Sequence, residues 1–114
     1  MNSVLEMHLD KEVFKLIKNG KKTVEMRLND EKRRGLKVGD RISFLERGSS
    51  KKILCEIVKL HPYNNFEELY ADIPKEKLGY TRDDIASPAD MNLYYTYEEV
   101  SKYGVLGIEL KVIE

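Results

Sequence analysis

Lys22, Glu25 and Arg27 are the residues of this chain whose types and spacing could do chemistry. They fall inside the run Gly20-Lys21-Lys22-Thr23-Val24-Glu25-Met26-Arg27, which alternates like a half-buried strand. Val24, Met26 and Leu28 would point to one face, and Thr23, Glu25 and Arg27 to the other. One face is core and the other is chemistry or solvent. Lys22 has the parity of Val24, so the turn after Gly20 must reorient it if it is to meet Glu25. A carboxylate and an ammonium converging in a cleft would shift each other's pKa and could position a water or a base edge. The planar fork of Arg27 could hold a phosphate or a nucleobase beside them. The competing reading is structural: an ion-pair network that closes the mouth of a barrel.

The charge around this run is uneven. The 114 residues carry 20 basic and 20 acidic side chains, yet Lys15 to Arg41 holds ten basic residues against four acidic ones. Such a local field can attract a phosphate backbone, with Lys32-Arg33-Arg34 as the candidate clamp, although a neutral chain is poorly suited to strong non-specific nucleic-acid binding. A solvated, lysine-rich surface is the alternative. With 41% hydrophobic and 35% charged residues and no low-complexity tract, disordered and fibrous classes are excluded. A single domain over residues 1–114 can bury a core without disulfide or metal. Cys55, the only cysteine, excludes an internal disulfide and a multi-cysteine metal site, and reads as core. His8 and His61 stand apart from other ligand types, so no metal and no cofactor is expected. No apolar run approaches the roughly 20 residues that span a bilayer, and the N-terminus lacks the order of a signal peptide. The expected setting is cytoplasmic, with no membrane partner.

The elements that must position the charged run are legible in outline. Leu5, Met7 and Leu9 alternate with Glu6 and His8 as a first strand, Asp10 caps a helix with Val13, Phe14, Leu16 and Ile17 on its apolar stripe, and Asn19-Gly20 ends it. Asn29 to Gly35 reads as a turn, and Leu36 to Asp40 as a tight turn into a strand over 41–46. Gly48-Ser49-Ser50 closes a hairpin onto Lys52 to Leu60, whose two faces are both largely apolar and which is therefore expected at the centre of the sheet, ending at His61-Pro62. Asn64 or Asn65 caps a short helix that Pro74 stops, and Ser87-Pro88 starts another carrying Met91, Leu93, Tyr94 and Tyr95. Thr96 and Glu99 form a capping box for a helix up to Tyr103, and Val105 to Ile113 is the closing strand.

Five to six strands, an early helix and short helices before the last strand predict an α+β fold built on a small, partly closed barrel. The first, signature and last strands should come together, leaving a cleft near the early helix. Of the four clustered tyrosines, Tyr97 and Tyr103 are the expected stacking surfaces, the rest packing on the barrel.

Taken in order, Gly20, Lys22, Glu25 and Arg27 as G-x-K-x-x-E-x-R, Val38-Gly39-Asp40, and Tyr103-Gly104-Val105 before the last strand resemble the ASCH domain, over essentially the whole chain. The resemblance implies a PUA-like β-barrel, a cleft lined by the signature residues, and a link to RNA or modified nucleosides. On that reading Gly20, Lys21, Lys22, Thr23, Glu25, Arg27, Tyr97 and Tyr103 bind the ligand, and Lys32, Arg33 and Arg34 its phosphates. Some relatives of this fold hydrolyse the amide of acetylated cytidine with a lysine, a threonine and a glutamate. The lysine matches Lys22, the threonine nucleophile falls at Glu25, and the glutamate falls near Glu76. Because a carboxylate replaces the hydroxyl, that triad does not carry over intact. The alternatives are a small hydrolase, acting on acetylated cytidine or as a ribonuclease, with Glu25 as general base and Lys22 stabilising negative charge, and a regulatory domain that binds a small anion or a peptide.

Overall fold

Why the signature run must be buried on both sides follows from how the sheet curls. The computed structural model describes residues 4–113. Its strands are β1 (Val4–Leu9), β2 (Val24–Leu28), β3 (Arg41–Glu46), β4 (Lys52–Tyr63) and β5 (Val105–Val112). They form one sheet in the order β1-β3-β4-β5-β2, with β1 parallel to β3 and the other pairs antiparallel. This is the α+β, PUA-like half-barrel expected from the sequence, with β4 central. Helices α1 (Lys11–Lys18), α2 (Glu31–Arg34), α3 (Phe66–Asp72) and α4 (Tyr97–Tyr103) and two 3-10 turns, Lys75–Leu78 and Pro88–Leu93, cover it.

Two apolar clusters flank the sheet. Met7, Leu9, Ile42, Phe44, Ile53, Cys55, Ile57 and Ile108 form the larger one with Phe14 and Ile17 of α1. Val24 and Met26 belong instead to the second, under α3 and the 3-10 turns, with Phe66, Leu69, Ile73 and Met91. Glu25 pairs with Ile108 and Arg27 with Leu106, so both charged side chains leave β2 on the side of the larger core. The face that alternation left as chemistry or solvent is thus the concave interior of the half-barrel. Burial raises the Cys55 thiol to about 11, and the side chain is fully covered. A thiol reagent should label it only in denaturant, and rapid native labelling would show that the sheet centre opens.

Local signals settle several boundaries. Asn65 caps α3 by accepting the Glu68 amide at 2.9 Å, and Thr96 and Glu99 form the reciprocal box of α4. Gly20, at φ +80°, follows the Asn19 cap of α1. Four expectations are corrected. Asp10 makes no side-chain cap to α1; its carboxylate takes the Arg47 guanidinium at 2.9 Å. The segment read as a turn after Asn29 holds the single-turn helix α2. His61-Pro62 does not end β4, which runs to Tyr63. Beyond Glu56 it pairs with β5 alone, and a proline is tolerated on such a half-paired strand. Finally, a bulge between Ile57 and Lys59 inserts Val58 and reverses the alternation, so Leu60 packs with the larger core rather than opposite Ile57.

Candidate functional site

Lys22, Glu25 and Arg27 converge where the two edges of the half-barrel face each other. The C-terminal turn of α1 sets the lysine: the amides of Lys21 and Lys22 both donate to the Leu16 carbonyl, at 2.9 and 3.0 Å. Lys22 therefore lies before β2 begins, outside its alternation. Its stem runs over Gly79, where an added Cβ would stand 3.3 Å from the lysine Cδ. Nζ reaches 3.3 Å from Glu25 Oε1. That oxygen also accepts the Met26 amide at 3.1 Å. The other carboxylate oxygen accepts Arg27 Nε at 3.1 Å and Nη2 at 3.0 Å. Arg27 Nη2 then crosses the seam to the His8 carbonyl on β1, at 3.0 Å. The barrel is closed here by a guanidinium in place of a strand ladder.

Glu25 accepts three hydrogen bonds, one at Oε1 from the Met26 amide and two at Oε2 from Arg27, and Lys22 adds an ion pair at Oε1. Burial pushes the carboxyl pKa up, but the Lys22 ammonium, the Arg27 guanidinium and the hydrogen bonds from Arg27 and the Met26 amide outweigh it and leave it below the ordinary value. A carboxylate whose pKa two cations hold down is a poor general base. Its neighbours keep capacity to donate. Among the described residues Lys22 Nζ contacts Glu25 alone, and Arg27 Nη1 has no partner. The trio is an anchored donor site with one net positive charge.

These donors face a cavity of about 140 Å³. Val13, Met26, Met91, Tyr94 and Tyr95 supply its apolar and aromatic walls, and the exposed Arg47–Asp10 pair stands at its rim. The tyrosines expected to stack do not line this cavity. Tyr97 and Tyr103 line a separate groove, because α4 carries them past the seam, whereas Tyr94 and Tyr95 reach it from the end of the preceding 3-10 turn. The pairing of Tyr94 with Tyr95 within the aromatic cluster was the available signal. Nothing in the sequence marked His8, whose contribution is a main-chain carbonyl.

The remaining expected residues are dispersed. Gly20 and Thr23 border a different depression with Leu110, and the Thr23 backbone is pinned between the Lys77 carbonyl and the Leu110 amide. Lys21 is exposed, its amide turned to Asn19. In the basic turn, Arg33 is held by both oxygens of Asp30, at 3.2 and 2.9 Å. Arg34 is anchored through Nε on the Asn29 carbonyl at 2.8 Å, and Lys32 is exposed. The clamp therefore offers Lys32 and the outer nitrogens of Arg34, not three equivalent cations. Among the described residues no group of three or more His, Cys, Asp or Glu side chains could hold a metal. Among them, too, no helix is long and apolar enough to cross a membrane.

A half-barrel with this charged seam defines a PUA-like protein of the ASCH type. The family model described as ASCH domain matches residues 7–114, and the chain belongs to that family. Among solved structures it is similar to hypothetical protein PH0355, at 33% identity and TM-score 0.81 over 96% of this chain and 99% of that one. It is similar also to protein PF0455 from Pyrococcus furiosus, at 36% identity and TM-score 0.70 over 97% and 98%. An ASCH protein from Zymomonas mobilis shares the fold at 16% identity and TM-score 0.61, over 96% of this chain and 67% of that one. No curated protein matches.

Proposed function

We propose that the chain recognises RNA or a modified nucleoside, one base entering the seam pocket. The observation that carries this is the pair of unspent donors, Lys22 Nζ and Arg27 Nη1, held by Glu25 beside Tyr94 and Tyr95. Donors on a rigid anchor match the carbonyl and ring-nitrogen acceptors of a base, and aromatic walls match its faces. A cavity of about 140 Å³ suits one planar ring rather than a chain of nucleotides. Glu25 acts as a positioning residue, and the hydrolase reading that made it a general base receives no support from a carboxylate that Lys22 and Arg27 hold in its charged form. A small anion would use the same donors but not the tyrosines.

Binding of ribonucleoside 5′-monophosphates at low ionic strength, followed by calorimetry, tests this reading. Affinity should fall as salt rises. Tyr94→Ala, at a side chain 59% exposed whose removal leaves the core intact, should weaken binding roughly 5- to 150-fold. No binding of any nucleotide, or equal binding of inorganic phosphate, would overturn it.

A further inference from the structure

A second, much larger cavity shares a wall with the seam pocket. It is an open groove of about 860 Å³, and Tyr95 lines both spaces. The ring of Tyr95 lies 5.8 Å from that of Phe66 in a stacked arrangement, interplanar angle 21°, and it is this supported ring that divides the two. Along the groove stand Tyr63, Tyr97 and Tyr103. Tyr97 is 82% exposed, a large aromatic face left in solvent with no packing role. Asn29 and Asn92 also line the groove, and their side-chain amides make no hydrogen bond within the described residues.

Lys102 lines the groove, its Nζ 5.0 Å from the Tyr103 ring centre. Arg34 stands next to it, its Nε bonding the carbonyl of the lining residue Asn29. Glu67 and Glu68, at the start of α3, also line the groove. Glu68 is occupied by the main-chain amide of Asn64 at 2.9 Å, while Glu67 is exposed. Lys102 and Arg34 are the cations a phosphate chain would meet here, and Glu67 is the carboxylate it must avoid. Aromatic faces, neutral amides and the cations Lys102 and Arg34 are the equipment for stacking and reading unpaired bases while holding their phosphates.

We infer that the Tyr97 groove is a second subsite, taking the nucleotides that flank the base in the seam pocket, so that the ligand is a single-stranded oligonucleotide rather than a free nucleoside. This rests on the reading of the seam pocket above. The basic turn and Tyr97, expected at one cleft, then serve this neighbouring one.

Affinities for ribonucleoside monophosphates and for fluorescent RNA tetramers A4, C4 and U4 are to be compared in wild type, Tyr94→Ala and Tyr97→Ala. The tetramer should bind at least tenfold more tightly than the monomer. Tyr97→Ala should remove most of that gain, roughly 5- to 150-fold, while leaving monomer affinity unchanged; Tyr94→Ala should weaken both. Arg34→Gln should lower the salt dependence of tetramer binding alone. Tetramers binding no better than monomers, or Tyr97→Ala leaving tetramer affinity intact, overturns the subsite. Tetramer binding that depends on Tyr97 but not on Tyr94 keeps the groove and rejects the seam pocket, and no binding by either probe rejects both.

Discussion

Glu25→Ala is expected to lower the free energy of unfolding by about 3–5 kcal/mol, the range for removing one partner of a buried ion pair. The carboxylate is the common partner of Lys22 and Arg27, side chains only 8% and 15% exposed, and its loss leaves two cations facing each other at the seam. For a domain of this size the drop in Tm is of the order of 10–20 °C, readable in a thermal melt followed by circular dichroism. Glu25→Gln keeps the volume and one acceptor, and should still lose most of this, because the missing charge is the cause. A melt unchanged in both variants would show that the cluster is solvated and the seam open.

The same carboxylate sets a pH dependence. Its pKa in the folded chain lies below the unfolded value of about 4.3. The stability it contributes is therefore fully present above that value and is lost as pH falls through the folded pKa. The difference in stability between wild type and Glu25→Gln should be constant at neutral pH and shrink only in acid. Replacing all three residues by apolar ones, as in Lys22→Met, Glu25→Leu, Arg27→Leu, removes the desolvation cost along with the attraction and should recover much of the lost stability. Recovery of the fold without recovery of nucleotide binding would tie the cluster to recognition.

Gly104→Ala is expected to cost about 3 kcal/mol through two separable effects, backbone strain and a clash. Gly104 precedes β5 at φ +71° and ψ −173°, a conformation open in practice only to glycine. A Cβ there would also stand 2.9 Å from the Tyr63 carbonyl oxygen, a main-chain atom that cannot move aside. Gly48 provides the control. At φ +81° it has open space around the position a methyl group would take, with nothing within 4 Å, so Gly48→Ala should cost only the left-handed conformation, about 1–2 kcal/mol. Equal losses in the two variants would remove the contact with Tyr63 from the account. Because Asn29 donates its amide to the Gly104 carbonyl at 3.1 Å, the same substitution should also disturb the groove.

Much of the fold was readable because its signals are short-range. The Asn65 cap and the Thr96–Glu99 box act over three residues, and the alternation of β2 and β5 follows from the geometry of any strand with a buried face. The failures were of another kind. Val58 reverses the phase of β4 through a bulge that depends on β5, and Pro62 stays in the strand only because β3 has already stopped pairing. Tyr94 and Tyr97 carry the same side chain in one cluster, so local pattern cannot rank them; which of them meets Arg27 depends on how the 3-10 turn and α4 are laid over the sheet.

Alternation alone put Glu25 and Arg27 on one face, a glycine-ended helix put Lys22 just ahead of them, and the strand and helix signals gave an α+β fold of five to six strands, of which the structure has five. Only the tertiary structure decided that this face is the interior of the half-barrel and that its two edges meet there. The physical reason is that the sheet's curvature, which brings β1 to β2 across the whole strand order, is a property of every pairing together. No local run encodes that Arg27 will find the His8 carbonyl, nor that Glu25 will pair with both Lys22 and Arg27 at the seam.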